Sequence, residues 1–398
     1  MPPANVAGDM LDQQLATVTA TIRDMARSGI REVMDAAWQV PGAIILAVGE
    51  PNFPTPAHII DAADAAARAG KTGYVSNAGI FELREALAAK VCSRNGYDVG
   101  ADEVVVTSGG VEGLFAALSA LLDPGDGILL PDPGWPNFVM MAQMLRARIR
   151  AYPVVPANDF LPTVPDLERL CDDGTKVLLL NSPSNPLGAV IDRERMHEIA
   201  AFAAARGLWI VSDECYDATL FDERFVSAAA VAGLERTISI YTFSKTYAMT
   251  GWRVGYVTAP PRVIEQIAKL QEPLISCVNA PAQYAALAAL TGPQDVVAQM
   301  NAAYRERRDE VCRRLAAAGV PALPPSGAFY VWADVRASGM PSRDFAFALL
   351  RERGVAIAPG TAFGPGGEGF ARISLATEPA ALYEGIDRII AALAGAPP

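Results

Sequence analysis

From residue 44 onward, short, nearly unbroken apolar runs alternate with longer stretches whose apolar positions recur at helical spacing. The runs are Ile44 to Val48, Glu103 to Val106, Gly127 to Leu130, Lys176 to Leu180, Leu208 to Val211, Thr237 to Tyr241 and Val254 to Val257. Helix-length segments fall between them at Phe81 to Arg94, Val111 to Leu122 and Arg193 to Arg206. Strands alternating with helices predict a parallel sheet, and strands without polar alternation predict cover on both faces. Upstream, residues 1 to about 45 read as an irregular tip and a helix from Thr17 to Ala37, with no clustered catalytic residue types and packed elsewhere. Downstream, a long helix from Asp295 to Ala318 precedes two further strands, Phe329 to Trp332 and Ala371 to Leu375. The expected fold class is α/β. Residues 46–290 would form a three-layer large domain with a mainly parallel sheet, and residues 1–45 with 291–398 a smaller α+β domain.

In open parallel sheets ligands bind beyond the carboxyl ends of the strands. The residues just past those ends are therefore the informative ones. After one strand come Thr107, Ser108, Gly109 and Gly110, a tight turn opening a helix whose free amides suit an anion. Trp135 follows another strand and could stack on a flat ring. Asn185, the pair Asp213 and Tyr216, and Lys245 follow three more. Singly, each has an ordinary explanation: a turn former, a helix cap, a solvated lysine. Together, an amide, a carboxylate, a phenol and a lysine meet the separate needs of one cofactor, pyridoxal 5'-phosphate. The lysine amine forms an imine with its aldehyde; the carboxylate keeps the pyridine nitrogen protonated; phenol and amide serve the ring oxygen. Thr242, Ser244 and Arg253 around that lysine could hold the phosphate. Tyr74, in a polar loop, reads as a phosphate donor or an aromatic anchor, and Gly49 as a place where a ligand approaches backbone.

Other patterns carry less. The segment Gly364 to Gly369 fits GxGxxG in form, but it follows no strand and opens no helix, and reads as a flexible loop. His58 and His197 lie far apart in helical stretches without metal-ligand spacing, so no metal is expected. The 398 residues are 51% hydrophobic and 19% charged, enough for two well-buried domains, and the net charge of −11 argues against nucleic acid. Five scattered cysteines fit a reducing cytoplasm, and neither a leader nor a membrane span is expected.

From Gly49 to Arg372 the chain resembles the class I/II aminotransferases, the fold-type I pyridoxal phosphate enzymes of the aspartate and aromatic aminotransferase subgroup. The stretches that carry the resemblance are GEPNFPTP at Gly49, TGYVSNAGIFELREAL from Thr72, VTSGG ending at Gly110, DPGWPNF around Trp135, NSPSNPLG around Asn185, SDECY from Ser212, FSKTYAMTGWRVG around Lys245, and ARIS at Arg372. The resemblance implies that Lys245 forms the internal aldimine and shuttles the substrate Cα proton, and that Asp213 pairs with the pyridine nitrogen. It implies that Tyr216 and Asn185 bind the ring oxygen, that Trp135 stacks on the ring, and that Gly109, Gly110, Thr242, Ser244 and Arg253 hold the phosphate. Tyr74 would reach the phosphate from the other subunit of a homodimer. Arg372 would grip the substrate carboxylate, helped by Gly49 and Asn185. The implied activity is ping-pong amino transfer between an L-amino acid and a 2-oxo acid such as 2-oxoglutarate or pyruvate.

Two departures bear on the substrate. The usual NPTG reads Asn185-Pro186-Leu187-Gly188, a change of packing more than of chemistry. Val111 stands where aspartate-type relatives commonly carry a lysine, which weakens aspartate as donor and favours neutral or aromatic amino acids, unless another basic residue substitutes. The rivals are a carbon–sulfur β-lyase of the same fold, a cofactor-sensing regulator, and a nicotinamide dehydrogenase. The last lacks its glycine fingerprint, and the regulator its DNA-binding domain.

Overall fold

The computed structural model describes residues 17–221 and 224–395; the expected irregular tip over residues 1–16 lies outside them. Seven strands form the central sheet in the order Val104–Thr107, Gly255–Thr258, Thr237–Thr242, Trp209–Asp213, Thr175–Asn181, Gly127–Asp132 and Arg148–Pro153. Only Gly255–Thr258 runs against its neighbours. Its inner strands are buried on both faces because they are almost wholly apolar: all four residues of Val104–Thr107 and five of the six in Thr237–Thr242 are buried. Helices cover them on two sides, and apolar burial supplies about 1.5–3 kcal/mol for each large side chain removed from water. The edge strand Arg148–Pro153 was not foreseen. Its Arg148, Arg150 and Ala151 are exposed, so it lacks the apolar run by which its neighbours declare themselves.

A second, antiparallel sheet joins Ala358–Pro359, Phe370–Ser374, Tyr330–Asp334 and Ala322–Leu323. The helix Asp295–Ala317 packs onto its core through Tyr304, Val311 and Leu315. The first apolar run is a strand only at Ile44–Ile45, paired in parallel with Val355–Ala356. It thus belongs with the C-terminal elements and not with the large sheet.

The expected helix from Thr17 to Ala37 is two helices, Ala20–Arg23 and Gly29–Ala37, parted at Asp24 to Ser28. Residues 364–369 are not a loose loop. The turn Pro365–Gly367 is pinned to the end of a large-sheet strand, with Gly366 N donating to Asp132 Oδ1 at 2.9 Å.

The antiparallel strand has a consequence for function. Thr107, Gly255 and Thr242 stand side by side at one edge of the sheet. The start of Gly255–Thr258 therefore lies beside the carboxyl ends of the parallel strands, and Arg253, two residues before it, is delivered to the same edge.

Candidate active site

At that edge, between the large sheet and the antiparallel one, lies a cavity of about 660 Å³. Lys245, Asp213, Tyr216, Asn185, Trp135, Gly110, Thr242, Ser244, Arg253, Gly49 and Arg372 all line it, so eleven of the thirteen expected site residues converge. Gly109, the neighbour of the lining residue Gly110, does not itself line the cavity, and neither does Tyr74, which is 90% exposed.

Lys245 sits in the one-turn helix Phe243–Thr246, which begins where the strand ends at Thr242. Thr242 starts that turn by accepting from Ser244 N at 3.2 Å. Lys245 Nζ donates to Gly49 O at 2.5 Å. Burial lowers its pKa to about 8, with the Arg372 and Arg253 cations adding to the effect against opposing acidic groups. A lysine in this state has a substantial neutral fraction near physiological pH and is a competent nucleophile toward an aldehyde.

Asp213 ends its strand fully buried, accepts from Cys215 N at 3.2 Å, and has its pKa raised by burial. Asn181 bridges the neighbouring strand ends: its Nδ2 donates to Asp213 O at 3.1 Å while its Oδ1 accepts from Asn185 N at 2.7 Å. Tyr216 Oη lies 2.7 Å from Tyr330 Oη, and both phenols are buried with raised pKa. Asn185 in turn holds Arg372, whose Nη1 donates to Asn185 Oδ1 at 2.7 Å and Nη2 to Ala47 O at 2.6 Å. The Arg372 guanidinium lies 4.2 Å from the centre of the Tyr330 ring and 4.8 Å from that of Phe363. Its Nε is buried without a partner. A buried guanidinium braced on two aromatic faces is chemically suited to a carboxylate.

The opposite end gathers donors of the kind that suit a phosphate. The helix Gly109–Leu121 points its N-terminus into it, and Ser108 N is fixed by Glu112 Oε2 at 2.9 Å, which Gln271 Nε2 also meets at 3.2 Å. Gly109 has φ of +75°, and a Cβ there would fall 2.3 Å from Arg253 Nη2. Arg253 donates to Thr250 O at 2.8 Å and is thereby held beside the turn. At Gly49 a Cβ would fall 2.0 Å from Tyr330 Oη, which explains a glycine where the Lys245 amine meets backbone. The donor set of helix N-terminus, hydroxyls and arginine at one end, with a buried carboxylate and an activated lysine in the middle, fits pyridoxal phosphate. Bound there, the cofactor supplies an aldehyde that takes up an amino group and a ring that withdraws electrons from the substrate's Cα–H bond.

Three groups escaped the sequence reading. Tyr330 lies inside an apolar strand, where an aromatic residue reads as core. Glu214 reads only as the neighbour of Asp213, yet it is the hub of a buried network, accepting from Ser227 Oγ and Ala228 N at 3.0 Å and Tyr241 Oη at 2.6 Å, with its pKa raised to about 7 by burial. The helix Gly29–Ala37, expected to pack elsewhere, lines the cavity through Ile30, Arg31 and Met34, with Trp38 just beyond its end.

A sheet with these groups at its carboxyl edge defines a pyridoxal phosphate enzyme of fold type I. The family model for aminotransferase class I and II matches residues 41–389, and the chain belongs to that family. It is 38% identical to an aspartate aminotransferase of Pyrococcus horikoshii over 93% of this chain and 95% of that protein. It is 37% identical to an aromatic-amino-acid aminotransferase of Thermococcus litoralis over 91% of this chain and 94% of that one. Among solved structures, a Thermus thermophilus aspartate aminotransferase with maleate superposes with a TM-score of 0.91 at 35% identity, covering 94% of this chain and 99% of that one. The chain is thus a pyridoxal phosphate-dependent aminotransferase.

Proposed function

We propose that this aminotransferase moves the amino group of a neutral, aromatic or aspartate-like L-amino acid to a 2-oxo acid such as 2-oxoglutarate or pyruvate, with Lys245 as its central residue. The observation that carries the proposal is the placement of Lys245 Nζ, 2.5 Å from Gly49 O in one cavity with Arg372 and Arg253. Relatives named for both aspartate and aromatic substrates support a broad donor range.

In this reading Lys245 holds the cofactor at its aldehyde carbon and, once the substrate amine displaces it, moves the proton at the substrate's Cα. Its lowered pKa suits both tasks. Asp213 keeps a proton on the ring nitrogen, because burial penalises its charged form and a positively charged partner offsets that penalty. Tyr216 and Asn185 donate to the ring oxygen and Trp135 covers the ring face. Gly109, Gly110, Thr242, Ser244 and Arg253 bind phosphate. Arg372 orients the amino acid by its α-carboxylate, with Gly49 and Asn185 beside it.

The exposed Tyr74 suits the phosphate site of a second copy, in a homodimer with shared sites. Five free cysteines suit the cytoplasm. Residues 46–290 are taken as the cofactor domain and residues 1–45 with 291–398 as the small one, in keeping with the pairing of Ile44–Ile45 with Val355–Ala356.

The test is steady-state kinetics with a panel of donors and acceptors. Parallel double-reciprocal lines are the expected result. Intersecting lines would contradict the two-stage reaction.

A further inference from the structure

Four basic side chains line the cavity: Arg31, Lys245, Arg253 and Arg372. Three are engaged by the protein, Lys245 by Gly49 O, Arg253 by Thr250 O and Arg372 by Asn185 and Ala47 O. Among the described residues Arg31 makes neither a hydrogen bond nor an ion pair; its guanidinium lies 6.0 Å from the centre of the Trp38 ring. The two carboxylates of the wall are also engaged, Glu50 by Thr250 Oγ1 and Asp213 by Cys215 N. From the same stretch of chain the cavity is lined by Ser28 and by the apolar Ile30, Met34 and Trp38, and Val111 is a further apolar lining residue. With Arg372 assigned to the α-carboxylate, Arg253 to phosphate and Lys245 to the cofactor aldehyde, Arg31 is the basic residue of the lining left for a side-chain carboxylate.

We propose that Arg31 is the specificity-determining counter-charge for the side-chain carboxylate of a dicarboxylic substrate, while Ile30, Met34, Trp38 and Val111 accept apolar and aromatic side chains in the same space. This rests on the substrate site described above, with Arg372 taking the α-carboxylate. It supplies the cation that Val111 does not. Arg31 sits on the short helix Gly29–Ala37, which follows the irregular segment Asp24 to Ser28, and so acts from outside the sheet edge that carries the other ligands.

The test is titration calorimetry of the cofactor-loaded full chain with succinate, which has two carboxylates, and with butanoate, which has one. The unaltered protein should bind succinate more tightly, and Arg31→Gln should weaken succinate by about tenfold or more, the scale of a lost charged hydrogen bond, with butanoate changed less than about twofold on the same ground. Arg31→Lys should restore most of the difference. Equal weakening of both ligands, or no preference for succinate in the unaltered protein, overturns the assignment. Amino transfer from L-phenylalanine, L-alanine and L-aspartate, measured alongside, judges the substrate site itself: its absence with all three in the unaltered protein refutes that reading, while the succinate comparison still decides Arg31.

Discussion

Tyr330 Oη meets Tyr216 Oη at 2.7 Å while the Tyr330 ring lies 4.2 Å beneath the Arg372 guanidinium. One strand residue of the antiparallel sheet thus touches both the phenol assigned to the cofactor ring and the arginine assigned to the substrate. Tyr330→Phe keeps the ring under Arg372 and removes the hydroxyl. The lost bond is worth about 1 kcal/mol. We expect a fall in kcat of roughly five- to tenfold, as for a conversion of about that energy, with KM for the amino acid little changed. A rise in KM alone would mean that Tyr330 serves Arg372 and not Tyr216.

Gly109→Ala should cost cofactor affinity more than stability. The new Cβ would press on Arg253 Nη2 at a backbone angle that alanine adopts with difficulty. Equilibrium dialysis should show pyridoxal phosphate binding weakened by about tenfold or more, as for a displaced charged hydrogen bond. Unchanged affinity would remove Arg253 and the Gly109 turn from the phosphate site.

Cofactor-free protein should become more reactive toward pyridoxal phosphate as pH rises through about 8, where Lys245 loses its proton. The sign for stability follows from the same shift. The folded pKa lies below that of an exposed lysine, about 10.4, so between these values the unfolded chain binds more protons and stability rises with pH. Denaturant midpoints of the cofactor-free protein relative to Lys245→Met should increase from pH 8 to 10. A flat difference would show that Lys245 is not desolvated.

Glu214 behaves in the opposite sense. Its folded pKa is raised to about 7 by burial, so stability drawn from its protonated form is present at low pH and lost as pH rises through about 7. Glu214→Gln keeps most of the hydrogen-bonding shape and removes the charge. Its Tm should match that of the unaltered protein near pH 5 and exceed it at pH 8 by a few degrees, about the effect of 1 kcal/mol. A lower Tm at both pH values would mean that the charged carboxylate is required by Tyr241, Ser227 and Ala228.

The parallel core and most of the candidate site were legible because their signals are local. Asp213, Lys245 and Gly110 each stand within a few residues of a strand end, and the apolar strand before each announces the position. Arg253 was legible as a residue, but its route to the site was not, since nothing in Val254 to Val257 states that this strand runs antiparallel. Tyr330 and Arg31 were missed for a different reason. Their role arises from contacts with residues more than a hundred positions away or from the wall of a cavity, and their own neighbourhoods read as core strand and surface helix. Arg148–Pro153 was missed because an edge strand with exposed arginines has no apolar run to display.

The most direct test of the central claim is a single-turnover count of 2-oxo acid and ammonia released when the cofactor-loaded protein meets an amino donor with no acceptor present. One equivalent of 2-oxo acid per protomer, no ammonia, and none of either from Lys245→Ala is the predicted result. Repeated turnover with ammonia release, or product formation unaffected by Lys245→Ala, would contradict it.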